Sequence, residues 1–438
     1  MATTNHTDTP PGPTGYPFVG NTFQFASDRL EFVTDTATEY GPVASYEIAG
    51  TTIYQVSDPA LVEQVLVQNN QAYIKGDLFQ EALGDALGEG LLTSEGSAWR
   101  DQRHRVQPAF HPGMLEQYSE QMTDGVERLL ESWADGDTRN IHEDMMHLTV
   151  EIAAEALFDV DIRDEQADIS DALEAVMDYA ERPYHAPSWV PTPENRRYQD
   201  AIETLDDVAD RIVEKHDADD GDDVVSILLA AQGEDITSER VRDEIVTILL
   251  AGHETTALTL TYTLHLLGRN PEQRARLQAE LDDVLDGRTP TMADLDDLPY
   301  TEQTIKEGMR RYPPVWELVR EATEPDSLDG YDIPPGTTVT MHPWVVHHDE
   351  RIYDDPLTFR PERWTDEFEH PLPKFGYFPF GGGPRRCIGD RFAMLEARLV
   401  LATIAQEWTV DPHDDLSFAP SITLRPDGPV EMTVHRRD

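Results

Sequence analysis

One cysteine, Cys387, stands in a chain of 438 residues. Without a second thiol the chain forms no intramolecular disulfide, so its fold calls for no oxidising compartment. Any chemistry that needs a protein thiolate has this single candidate. Lysine is almost as scarce: Lys75, Lys215, Lys306 and Lys374 are all there are, which makes thirty of the 34 basic residues arginine. No run approaches the roughly 20 apolar residues that span a bilayer as a helix. Met1 to Pro10 also lacks the basic and apolar blocks of a secretory signal. These absences lead us to expect a soluble, cytoplasmic protein with no membrane span.

Positive charge is the next shortage. Eighty-five acidic residues against 34 basic ones leave a formal charge of −51, spread along the whole chain. A confined acidic tail would suggest an interaction arm, whereas a uniform coat suggests adaptation to concentrated salt. Such a surface repels itself in dilute solution, and molar salt shortens the screening length to about 3 Å. Few lysines fit the same reading, because lysine exposes a long apolar stem. The expected source is an organism with a salt-rich cytoplasm, such as a haloarchaeon. The same coat argues against nucleic acid and anionic membranes as partners.

Hydrophobic residues make up 39% of the chain, enough for a core. Pro10 to Asn21 is too rich in proline and glycine for helix and reads as an extended arm, with residues 1–9 before it expected to be disordered. Residues 50–67 alternate apolar and polar, then turn helical after Asp58-Pro59. Pro183, Pro187, Pro191 and Pro193 enforce a loop near 181–193. The acidic stretch 204–223 has helical spacing and closes in D-A-D-D-G-D-D, a solvated loop. A long helix is predicted from Thr237 or Ser238 to Gly268, with Glu239 in its first turn and Pro271 beyond its end. Another is predicted from about Pro299 to Tyr312, strand and turn over 330–345, and short β-like runs over 420–435. With no repeat and no linker, the expectation is one mainly α domain over 1–438 with a small β portion.

Around the cysteine, Phe380 to Gly389 reads F-G-G-G-P-R-R-C-I-G. A lone cysteine is most often an inert, buried hydrophobe. Here three glycines and a proline let the backbone turn sharply and approach a flat ligand. N–H groups in such a turn can stabilise a negative sulfur, and a helix opening at Gly389 favours a thiolate through its dipole. The spacing Phe380-x-x-Gly383-x-Arg385-x-Cys387-x-Gly389 resembles the haem-binding loop of the cytochrome P-450 family, with every defining position filled. The resemblance implies that Cys387 is the proximal ligand of a haem iron. It also implies that Phe380, Gly381 and Gly389 help to form the cofactor loop and that Arg385 pairs with a haem propionate. No C-x-x-C-H occurs, so haem b is expected to be held non-covalently. The family fold is a helical prism, with haem between the long central helix and the cysteine loop.

Distant segments carry the same resemblance. Glu307 and Arg310 are spaced i, i+3 on one helix face, are followed by Pro313-Pro314, and stand some fifty residues before Pro361-Glu362-Arg363-Trp364. They resemble the family's structural triad of Glu307, Arg310 and Arg363. Ala251-Gly252-His253-Glu254-Thr255-Thr256 lies inside the predicted long helix, where Thr255 can bond the Ala251 carbonyl and distort the ladder. This matches the family's acid–alcohol motif. It implies that Ala251 and Gly252 leave room for the macrocycle, that Thr255 supports the bound dioxygen, and that Glu254 helps deliver protons through water. Trp99 and Arg103 look like the family's propionate-binding helix, and Arg320 and His347 are further cofactor-binding candidates by position. His348 departs from the arginine usual there. A metal cluster of His342, His347 and His348 is disfavoured, because a strand-and-turn segment gives no helical ligand spacing.

The function implied is oxygen insertion into a small hydrophobic substrate, using electrons from a separate ferredoxin or flavodoxin-like protein, by a monomer with no fused reductase. Lys374, Arg385, Arg386, Arg391 and Arg398 against Asp390 and Glu396 make a net +3 island that would suit an acidic carrier, or whose arginines are simply buried in the fold. Leu78, Phe79, Leu83, Leu87, Val315 and Ile422 are expected to line an apolar pocket for a lipid or terpenoid. A peroxide-driven or isomerase-type enzyme and a haem-based sensor are the competing readings. The sensor leaves Glu254 and Thr255 without a task. The acidic coat makes one prediction of its own: the melting temperature rises between dilute buffer and molar potassium chloride, and stability that peaks at low ionic strength contradicts the salt-adapted reading.

Overall fold

The structure is a computed structural model that describes residues 9–180, 190–216, 223–230 and 237–437. Its axis is the helix Ser238–Arg269. Thr237 adopts an extended backbone and its hydroxyl accepts the Arg240 N–H, while Glu239 complements the positive end of the first turn. The helix runs one residue past the predicted Gly268 and hands over at Asn270 to Pro271, which occupies the first position of the next helix. From Val241 to Leu267 side chains are buried around almost the whole circumference, as a helix at the centre of a fold requires.

The helix Ile141–Phe158 packs along this axis, and Thr149 Oγ1 crosses between them to donate to the His253 carbonyl at 2.9 Å. Pro299–Arg311 and Asp390–Glu407 cover other sides. The predicted end of the former at Tyr312 is met within one residue.

Sheet is a minor component. Five strands lie in the order Val43–Ile48, Thr51–Val56, Thr338–Met341, Leu318–Ala322, Tyr73–Ile74. Thr51–Val56 and Thr338–Met341 run parallel and the other neighbours antiparallel. The predicted strand and turn over 330–345 divides. Tyr331–Ile333 pairs with Asp326–Leu328 and Thr338–Met341 joins the large sheet, but Pro343–His347 is a short helix. Pro343 has no N–H for a ladder, and its fixed φ suits the first helical position. Residues 420–435 give a hairpin, Phe418–Pro420 with Leu424–Pro426, and the strand Glu431–Arg436.

At the other end, the Pro10–Asn21 arm lies on the first strand, with Ser45 N donating to Pro11 O at 2.8 Å. Asp58 caps the helix that opens at Pro59. The loop near 181–193 falls mostly outside the described residues, as do 1–8 and most of D-A-D-D-G-D-D. Thr192 caps the helix Pro193–Glu214.

The central helix meets the strand Trp408–Pro412 so closely that a Cβ on Gly268 would lie 2.7 Å from the Val410 carbonyl oxygen and 2.3 Å from Pro412 Cδ. Backbone cannot yield as a side chain can. Gly268→Ala is therefore expected to cost roughly 1–3 kcal/mol in urea unfolding, and an unchanged midpoint contradicts this packing.

Candidate active site around Cys387

The cysteine loop is tied to itself by its backbone. Gly381 N donates to Phe378 O at 3.0 Å, Arg386 N to Gly383 O at 3.2 Å, and Cys387 N to Phe380 O at 3.0 Å. Gly383 takes φ +67°, and a Cβ there would stand 1.9 Å from the Leu66 carbonyl oxygen, so this glycine answers both to conformation and to space. Gly389 has ordinary room, its nearest neighbour being Phe110 at 3.7 Å. Cys387 keeps accessible surface although protein packs around it. Burial pushes its thiol pKa up, while the Gly389 N–H, Arg103 and Arg386 favour the thiolate.

A buried ion cluster sets where this loop stands. Glu307 and Arg310 are fully buried and Arg363 almost so. The Glu307 carboxylate accepts from Arg310 Nε at 2.8 Å and Nη2 at 2.9 Å, Arg363 Nε at 3.1 Å, Trp364 Nε1 at 2.9 Å and Arg360 N at 2.9 Å. Arg310 Nη1 donates to the His347 carbonyl at 2.7 Å, and His347 Nε2 accepts the Phe378 N–H at 3.0 Å. The fully buried His347 ring lies against Tyr377 and Phe378. Its contacts are thus with the root of the cysteine loop, not with the cations described next. His342 packs on Trp316 and His348 on Trp344, so the three histidines take separate directions.

Those cations gather beside Trp99. Arg385 stacks on the Trp99 ring at 4.1 Å, donates to Ser94 O at 2.9 Å and pairs with Glu95. Arg103 donates to Arg386 O at 2.7 Å and feels the Cys387 charge. Burial, then Arg385, pushes Arg320 down to about 10. Burial, then Arg320 and Arg385, pushes Lys75 far below the ordinary ammonium range. Among the described residues, Glu95 is the carboxylate that acts on Lys75, Arg320 and Arg385 together. Three cations around one carboxylate leave a positive surplus that a ligand with two carboxylates would neutralise. Haem b fits this donor set: sulfur for the iron, and guanidinium and ammonium groups for the propionates. Lys75 and Glu95 escaped the sequence reading, though Lys75 carried a signal as one of only four lysines.

Midway along the central helix Ala251 is exposed and Gly252 and Thr255 are partly so, within the stretch 244–267 that is otherwise buried. Thr255 Oγ1 donates to Ala251 O at 3.0 Å as expected, and Thr259 and Thr263 repeat the bond one and two turns on. The helix nevertheless continues unbroken, so no interruption accompanies it. Glu254 does not share this accessible face. Its Oε1 accepts from Arg425 Nε at 2.5 Å and from Thr423 Oγ1 at 2.8 Å. Arg425 reaches Asp178 at 3.0 Å, and Asp178 reaches Arg197 at 2.9 Å. Burial opposes the charge on Glu254, yet Arg425, His253 and Thr423 hold its carboxyl below the usual range.

The expected pocket residues divide. Phe79, Val315 and Ile422 keep accessible surface, whereas Leu83 and Leu87 are fully buried in the core; the side chain of Leu78 lies outside the described residues. In the basic island Arg385 and Arg398 are engaged inside the fold by Glu95 and Glu302, while Lys374, Arg386 and Arg391 are exposed.

A family model described as cytochrome P-450 matches residues 10–431. The chain is similar to cyclooctatin synthase of Streptomyces melanosporofaciens, 36% identical over 96% of this chain and 93% of that protein. It is also similar to pentalenene oxygenase of Streptomyces avermitilis, 34% identical over 92% of each. The crystal structure of the cytochrome P-450DA haem domain superposes with a TM-score of 0.87 at 26% identity, covering 98% of both chains.

Glu307→Ala leaves Arg310 and Arg363 buried without their counter-charge, at a cost of about 3–5 kcal/mol. The variant is expected to purify without haem, read as the ratio of haem to protein absorbance; full haem loading refutes the positioning role.

Proposed function

This chain belongs to the cytochrome P-450 family, and from that footing we propose a monooxygenase that inserts one atom of dioxygen into a small terpenoid or similarly hydrophobic molecule, the other atom leaving as water. It is an oxidoreductase whose family holds haem b through a cysteine thiolate, and Cys387 is its one cysteine. Bound haem with a thiolate ligand supplies the electron density that favours O–O cleavage.

The chain's own residues do the rest. The loop backbone holds the accessible Cys387 sulfur where it could ligate the iron, and Lys75, Arg103, Arg320 and Arg385 would orient the haem through its carboxylates. The accessible face of Ala251, Gly252 and Thr255, set inside the otherwise buried stretch 244–267, is the observation that carries the reading. Whereas the neighbouring His253, Glu254 and Thr256 are buried, Thr255 Oγ1 belongs to that accessible face. Its hydrogen is committed to Ala251 O, and its lone pairs can accept from water. Glu254 is the carboxyl that holds and passes the proton. In its described position it is clamped by Arg425, so delivery requires the carboxyl to take up a proton and turn from the guanidinium.

Electrons come, in this reading, from a separate ferredoxin or flavodoxin-like carrier docking on the exposed Lys374, Arg386 and Arg391. The substrate class is supported by a relative named for oxygenating pentalenene and by the apolar Phe79, Val315 and Ile422. No helix among the described residues is long and apolar enough to cross a membrane. The acidic coat and single cysteine support a monomer working in the cytoplasm of a salt-adapted cell.

The reading predicts product that carries one atom from labelled dioxygen and that forms only with a reductant-driven carrier protein. Thr255→Ala should slow product formation by roughly 10²-fold, the low end of what a general acid–base group supplies, with the electrons diverted to peroxide. Product formed equally well from peroxide alone, or unchanged coupling in Thr255→Ala, contradicts it.

A further inference from the structure

Each turnover in the reading above requires Glu254 to recover a proton, and its ion pair does not supply one. Glu254, Arg425, Asp178 and Arg197 form a chain from core to surface, with side chains 3%, 11%, 34% and 57% exposed. A guanidinium never gives up its proton in a protein, so Arg425 holds charge there and conducts nothing.

A second path follows the seam between the central helix and Ile141–Phe158. His253, next to Glu254, is fully buried, and neither ring nitrogen has a hydrogen-bond partner. The Leu250 carbonyl one turn back influences the ring without completing a bond. On the facing helix, in its first turn, His142 Nε2 is also buried without a partner, while the residue itself keeps some exposed surface. His142 lies near enough to act on the His253 ring, and both imidazoles feel Glu254 and Arg425. Three buried ring nitrogens without partners are costly unless ordered water satisfies them.

We propose that His253 and His142, bridged by buried water, form the proton route between Glu254 and solvent. Each imidazole takes a proton on one ring nitrogen, releases one from the other, and ends neutral. The bridging water receives one proton from the solvent side as it passes one inward. The Glu254 carboxylate accepts it, and nothing is oxidised or reduced. Burial, reinforced by Arg425, pushes both imidazoles down to about 4, so near neutral pH each keeps a free lone pair for the incoming proton.

The proposal rests on Glu254 as the proton-carrying acid, and the test separates the two. Haem-loaded His253→Phe, His253→Gln, His142→Phe and Glu254→Gln are compared for product per electron and for the solvent deuterium isotope effect, alongside a high-resolution crystal structure. Expected are an ordered water on His253 and His142 Nε2, unchanged haem content and substrate affinity, and a larger isotope effect. Product rate should fall about tenfold in both His253 variants, and the His253→Gln/Glu254→Gln pair should be no slower than Glu254→Gln alone. A waterless seam, or His253 variants with wild-type isotope effect and coupling beside an affected Glu254→Gln, overturns the route. An unaffected Glu254→Gln removes the acid itself, and the route with it.

Discussion

A single carboxylate, that of Glu307, fixes the geometry on which the site depends. With no exposed surface it has lost all contact with water, and it recovers that loss through five hydrogen bonds from Arg310, Arg360, Arg363 and Trp364. Buried ion pairs add little net stability, because desolvation offsets attraction. What this one provides is placement. Arg310 carries the constraint to the His347 carbonyl, the His347 ring carries it to Phe378 N, and two residues later Phe380 O receives the Cys387 N–H. A chain of directional bonds thus runs from the helix Pro299–Arg311 to the sulfur.

Around that fixed point the protein arranges charge in two unlike zones. Beside Trp99, cations outnumber carboxylates; burial first, and their mutual repulsion second, depress Lys75 and Arg320, and a dianionic ligand would relieve the repulsion. Along the central helix the balance is reversed in purpose. One carboxylate, Glu254, is neutralised by Arg425 and kept off the accessible face that Thr255 shares. In the proposed function, separating the cation cluster from the acid lets each keep the charge its task requires.

Much of this was legible in the sequence, for physical reasons. The cysteine loop is legible because its pattern of glycine, proline, arginine and cysteine lies within ten residues. Leu66, Arg103, Glu307 and His347, which hold it in place, are distant in the chain. The central helix is legible because Thr237, Glu239 and Pro271 state its ends, and Glu307 with Arg310 because helical spacing places them together. Arg425, 171 residues from Glu254, and Glu95, 290 from Arg385, left no such trace, since only folding makes them neighbours. Leu83 and Leu87 looked like pocket residues because apolarity alone does not distinguish a cavity wall from a core. Pro343 interrupts the strand-and-turn pattern over 330–345, because its missing N–H and fixed φ suit a helix start.

The most direct test exploits the scarcity with which the sequence began. Because Cys387 is the only thiol, a thiolate-ligated iron can have only one source in this chain. Magnetic circular dichroism of the haem-loaded protein, wild type against Cys387→Ser, reads the axial ligand without reference to turnover. The account predicts a thiolate signature in the wild type that vanishes in the variant while the helical far-ultraviolet spectrum is retained. Nitrogen or water ligation in the wild type would contradict it.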